Sequence, residues 1–157
     1  MVVATPGWKA RVIRWVTRSP VNHAAILTAT AGVLFEARPA GAGEVELAHY
    51  AGCRQWWAST PVTGLQRGRI LAALPLYEGR PYGWLDVTAI GLDAVGIRWK
   101  WVTRRLHDPA TVFCSQLVAE VFLAAAGVRL VPGKPAWTVT PGDLLDVIEH
   151  QPVPAYY

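Results

Sequence analysis

The segment Thr111-Val-Phe-Cys-Ser-Gln-Leu-Val-Ala-Glu-Val-Phe-Leu-Ala-Ala-Ala-Gly127 constrains this chain more than any other stretch. Leu117, Val118, Val121, Phe122 and Ala125 recur at helical spacing, which predicts a helix with a wide apolar face. Pro109 breaks what precedes it, and Gly127 supplies a stop, so the helix begins close to Cys114. So apolar a helix has to be buried, and the rest of the chain has to pack around it. It also carries a thiol at its start. Unpaired N–H groups and the positive end of the helix dipole favour thiolate there, which is how a small hydrophobe becomes a nucleophile. A lone cysteine on an apolar helix is equally a packing residue, so the reading depends on a partner base.

The remainder predicts α+β: an antiparallel β-sheet packed against helices. Trp8 to Thr17 reads as an amphipathic helix, with Trp8, Val12 and Trp15 on one face and Arg11, Arg14 and Arg18 on another. Docking of the apolar face on the domain is the favoured outcome. The other is a membrane- or wall-facing surface. Asn22–Thr28 and Val33–Arg38 form a predicted hairpin around Ala29–Gly32, and Gly41 to Gly43 a turn. Val45–Leu47 and part of Gln55–Val62 are further strands. Helices are predicted over Leu65–Leu76, with Pro75 bending the end, and over Leu85–Val95, with a short basic helix or turn at Trp99–Leu106. A Pro/Gly loop, Val131–Pro135, leads to Thr140-Pro-Gly-Asp143, where Thr as N-cap and Pro at the first helical position open a last helix. Residues 1–150 are expected to be one domain, and 151–157 a loose tail.

Composition narrows the function classes. A formal charge of +4 without a basic block or recognition motif argues against nucleic-acid binding, and is compatible with an anionic wall or membrane surface. Cys53 and Cys114 are too few for a disulfide framework or a cysteine-built metal site, although a single bridge between them stays open. No apolar run reaches about 18 residues, so no membrane span is expected. Met1 to Pro6 lack a charged start followed by an apolar stretch, so no secretory signal is expected. The expected location is cytoplasmic, or virion-associated or released to the cell wall if the chain is phage-encoded.

Four histidines are candidates for the partner base. His23 stands apart because it begins a predicted core strand, where an imidazole needs a hydrogen-bond partner. A turn centred on Ala29-Thr30 sets Glu36 directly across from it, with Cβ atoms about 4.5–5.5 Å apart. The carboxylate then orients the imidazole, and the free ring nitrogen serves the thiol. A structural polar pair is the alternative. His49, His107 and His150 lie in turns or at a helix end, and Cys53 lacks a helix-start setting, so these are expected to be structural or exposed. The dispersed histidines argue against a metal site, and the chemistry requires no cofactor.

The segments SPVNHAAI, VLFEARPAG, EGRPYGW, FCSQLVAEVFLAAAG and TPGDLL, in this order, resemble the circularly permuted NlpC-like branch of the papain-fold cysteine peptidases. In that branch the His strand precedes the Cys helix, as here. The resemblance spans about Arg11 to Leu145 and implies Cys114 as nucleophile, His23 as base, Glu36 as third polar residue and Tyr82 beside the cysteine as an oxyanion donor. A buried aromatic with a satisfied hydroxyl is the other reading of Tyr82. Relatives often carry an acid after this tyrosine, where this chain has Gly83-Trp84. The implied activity is amide hydrolysis, with peptidoglycan peptides as the leading substrate. A lipid amidase or acyltransferase is the second reading, and a catalytically inactive binding module the third. The oligomeric state is left open.

Overall fold

The computed structural model describes residues 1–83 and 111–150. The helices expected over Leu85–Val95 and Trp99–Leu106, together with His107 and the tail from Gln151, lie outside the described residues.

The described residues are α+β, with two small antiparallel sheets and four α-helices. In the first sheet, β1 (Val2–Ala4) lies between β2 (His23–Ala24) and β6 (Arg54–Trp56). In the second, β4 (Val33–Arg38) lies between β3 (Ile26–Leu27) and β5 (Gly41–Glu46). Only Ala25 separates β2 from β3, and its N–H donates to the Met1 carbonyl at 3.0 Å. One extended segment therefore leaves one sheet and enters the other. Strand β1 had no counterpart in the sequence reading, because three residues are too few for a period to declare itself.

The helices are α1 (Trp8–Thr17), α2 (Gly64–Ala73), α3 (Cys114–Ala126) and α4 (Pro141–His150). Helix α3 is the centre of the fold. Its residues Cys114 to Ala119 and Val121 are buried, and it packs against α2, α4, β2 and β4. Gly127 closes it in the left-handed conformation (φ 69°), with its N–H bonded to Leu123 and that of Val128 to Phe122. Helix α2 ends in a 3₁₀ turn, Leu74–Tyr77, where Pro75 halts it. Helix α4 opens on a reciprocal cap: Asp143 N–H donates to Thr140 Oγ1 at 3.2 Å, and Thr140 N–H donates to Asp143 Oδ2 at 2.6 Å. Ser115, fully buried, donates its hydroxyl to the Val139 carbonyl at 2.6 Å, tying the start of α3 to the approach to α4.

Strand β4 is buried on both sides. Phe35 and Ala37 join Leu117, Val118 and Val121 in the main core, while Leu34 packs with Val3, Ala25 and Tyr50 in a smaller cluster. Alternation along the strand puts Glu36 on the Leu34 side.

Several expected boundaries differ. Gly41 to Gly43 belong to β5 rather than to a turn; Arg38 pairs with Gly41, so the turn is Pro39-Ala40. The small residues suit this strand because the backbone of Gly79 and Arg80 runs against it, with Ala42 N–H donating to Arg80 at 2.9 Å and Gly79 N–H to Ala42 at 2.8 Å. The strand expected within Gln55–Val62 is confined to Arg54–Trp56. Helix α1 forms over the expected residues, but its apolar face is largely turned outward. Trp8, Val12 and Trp15 are 73%, 50% and 75% exposed.

Candidate functional site

Cys114 is the first residue of α3, following Phe113 in extended conformation (φ −109°, ψ 166°). Such an abrupt strand-to-helix transition leaves the first N–H groups of the helix without intrahelical acceptors. The Ser115 N–H bonds the sulfur, and so does the Ala24 N–H of β2. Cys114 is 3% exposed. Burial pushes its pKa up, but the charge and hydrogen bond of His23 and the two backbone bonds overcome that and hold it below the ordinary thiol value.

His23 reaches the sulfur from β2. Its Nε2–H donates to Glu36 Oε2 at 2.9 Å, which leaves Nδ1 for the thiolate. Burial alone would push the imidazole pKa down. The Cys114 charge and hydrogen bond, followed by those of Glu36, reverse this and raise it to about 10. Thiolate and imidazolium thus stabilise one another across the gap between β2 and α3.

The expected partnership of His23 with Glu36 is present, but not as directly opposed hairpin residues. Ile26 faces Phe35 and Leu27 faces Leu34, so the register is displaced by two residues from one that would set position 23 across from 36. The turn is centred further along: Thr28 N–H donates to the Val33 carbonyl at 3.0 Å, and Gly32 takes a left-handed conformation (φ 73°). Displacement by two preserves the face on which each side chain lies. Beyond Ala25 the strand pairs with β1 instead, where His23 faces Val3, while Glu36 faces Gly43 of β5. The imidazole and the carboxylate therefore come from different sheets and meet where the two diverge.

Glu36 is fully buried. Its Oε2 accepts a second hydrogen bond, from Tyr50 Oη at 2.5 Å. Arg38 Nε lies 3.5 Å from Oε1, a charge contact without a hydrogen bond. Burial pushes the carboxyl pKa up; the His23 bond and charge, the Tyr50 bond and the Arg38 charge together bring it below the usual value. The Tyr50 hydroxyl is pushed up by burial and by Glu36, so it stays a neutral donor. Its ring also stacks on His23, with centroids 5.8 Å apart and planes at 27°. Tyr50 is the residue that sequence reasoning missed. It ends a 3₁₀ turn, Leu47–Tyr50, fourteen residues after Glu36, and no local pattern links the two.

Tyr82 is placed by backbone pairing with the segment that leads into α3. It forms a parallel bridge with Val112, supported by Val112 N–H to the Pro81 carbonyl (3.0 Å) and Gly83 N–H to the Val112 carbonyl (3.2 Å). Its hydroxyl hydrogen-bonds Cys114. Burial, the thiolate charge, that bond and the Glu36 charge all raise its pKa, keeping it a donor.

Other candidates stay outside this cluster. Cys53 and Cys114 are both free thiols, and Cys53 packs beside Val45 and Leu47 on the smaller core. His49 lies edge-on to Tyr50, with ring centroids 5.1 Å apart, and is itself exposed. His150 is exposed at the end of α4 and bonds the Asp146 carbonyl. Among the described residues no group of three His, Cys, Asp or Glu could hold a metal ion, and no helix is long and apolar enough to cross a membrane. No family model, curated protein or solved structure matches the chain significantly.

Proposed function

We propose that the protein is a thiol hydrolase acting on an amide carbonyl, with Cys114 as nucleophile, His23 as base and acid, and Glu36 as the group that orients the imidazole. The observation that carries this reading is the thiol at the first position of α3, hydrogen-bonded to an imidazole that a buried carboxylate holds from behind. A structural polar pair needs neither the thiol at the helix start nor backbone N–H groups aimed at its sulfur.

In this mechanism the Cys114 thiolate attacks the carbonyl carbon, and the C=O electrons move onto oxygen. The oxyanion forms near the N–H of Cys114, with the Tyr82 hydroxyl as second donor. On collapse, the imidazolium of His23 gives its proton to the leaving nitrogen, and a thioester remains on Cys114. Water then attacks the thioester while His23 takes its proton, releasing the acid and regenerating the thiolate. No cofactor enters these steps.

The permuted papain-like fold and peptidoglycan peptides as substrate follow from the family resemblance and belong to this proposal. A second reading, a lipid amidase or acyltransferase, is favoured by one observation: the apolar face of α1 is turned to solvent. Release of peptides from peptidoglycan against cleavage of a lipid amide separates the two. The shared chemistry is tested by iodoacetamide labelling at neutral pH. Cys114 is expected to react faster than Cys53, and His23→Ala to abolish the difference. Equal labelling of both cysteines in the unaltered protein rejects the activated thiol.

A further inference from the structure

Helix α1 is amphipathic in the reverse sense for a helix packed on a protein. Its inward arc carries Ala10, which is buried, and Arg14, whose Nη1 donates to the Thr5 carbonyl at 2.7 Å and to Asn22 Oδ1 at 3.1 Å. At about 100° per residue, Trp8, Val12 and Trp15 fall on the opposite arc. The two tryptophans there are each about three-quarters exposed. Arg11 and Arg18 line one edge of this arc and are also exposed. A helix that only covers a core turns its apolar stripe inward.

The charge distribution is equally one-sided. The first 35 residues contain four basic residues, Lys9, Arg11, Arg14 and Arg18, and no acidic one. Beyond them the chain holds eleven of each sign, so the entire +4 excess resides in this segment. The first acid of the chain, Glu36, is fully buried.

We propose that α1 is an interfacial anchor that docks on an anionic lipid bilayer. Trp8, Val12 and Trp15 enter the boundary between headgroups and acyl chains, where indole rings are favoured, and Arg11 and Arg18 pair with anionic headgroups. A neutral protein groove would match the tryptophans but leave the concentrated positive charge uncompensated. The inward bond from Arg14 to Asn22, the neighbour of His23, ties this anchor to the strand that carries the imidazole. The anchor does not depend on Cys114 being a nucleophile.

Flotation of the full chain with vesicles of phosphatidylcholine and phosphatidylglycerol in equal parts tests the proposal, with phosphatidylcholine alone as comparison. The protein is expected to float with the anionic vesicles, and high salt to weaken this. Trp8→Ala with Trp15→Ala is expected to lower partitioning on the order of ten-fold. Arg11→Glu with Arg18→Glu is expected to remove the preference for anionic lipid. All four side chains are exposed, so circular dichroism and Cys114 labelling without lipid should be unchanged in both variants. No flotation, equal flotation of the tryptophan variant, or indifference to lipid charge overturns the proposal. So does a self-association abolished by the tryptophan variant without any lipid binding, which would assign the face to a second copy of the chain.

Discussion

Glu36→Gln isolates the charge of the carboxylate from its shape. Glutamine fills the same buried space, and its carbonyl oxygen can still accept from His23 Nε2 and Tyr50 Oη, now at 2.9 and 2.5 Å from Glu36 Oε2. What disappears is the negative charge. An opposite charge within about 4–6 Å shifts a pKa by about 1–3 units. Water cannot replace the lost charge because position 36 is fully buried. The His23 pKa is therefore expected to fall by about 1–3 units from its value of about 10. The assay is a titration of the His23 Cε1–H resonance by NMR in the parent and the variant. The Cys114 charge and bond also raise the His23 pKa, so Cys114→Ala is expected to lower the titration as well. An unchanged midpoint in either variant refutes this coupling.

The pair also imposes a particular dependence of stability on pH. Unfolded, the imidazole titrates near 6.5 and the thiol near about 8.5; folded, the imidazole is raised to about 10 and the thiol is lowered. Below about 6.5 the unfolded pair binds two protons, so the thiol's stabilisation is lost as pH falls through its lowered folded value. Above about 8.5 the unfolded pair binds none, and the stabilisation declines as pH rises through about 10. Urea midpoints of the parent minus those of Cys114→Ala, measured across pH, should therefore pass through a maximum, and a steady slope in one direction would contradict it. Tyr50→Phe removes a donor from the buried carboxylate and should cost about 1.5–3 kcal/mol in urea unfolding; an unaltered midpoint would mean that Tyr50 supports nothing. Leu117→Ala opens a cavity at a fully buried position of α3 and should cost about 2–5 kcal/mol. A loss below about 1 kcal/mol would show that α3 is not the core element described.

Helices were legible to the residue where a cap and a period coincide. Gly127 ends α3, and Thr140 with Asp143 opens α4, because these positions satisfy backbone groups with chemistry written locally. Helix α2, expected to run from Leu65 to Leu76 with a bend at Pro75, instead ends at Ala73, and Pro75 sits in the 3₁₀ turn that follows. The strands were less legible. Two- and three-residue strands such as β1 and β2 carry no measurable alternation, and the Gly41–Gly43 stretch looks like a turn until Gly79 and Arg80 are brought against it. In the candidate site, Cys114, His23 and Glu36 could each be singled out by residue type in an unusual setting. Tyr50 could not, since what distinguishes it is the carboxylate and the imidazole it meets in the fold.

The sequence by itself determined that a thiol opens a buried helix and that an imidazole and a carboxylate occupy short apolar runs upstream, because hydrophobic period, caps and breakers act over a few residues. The tertiary structure alone decided how they meet. A two-residue shift in the hairpin and the passage from one sheet to the other at Ala25 set His23 and Glu36 at 2.9 Å from separate sheets, with the thiolate beyond. It also decided that Trp8 and Trp15 face outward. Amphipathic spacing states that a helix has two faces; which of them meets the protein depends on what the rest of the chain offers to pack against.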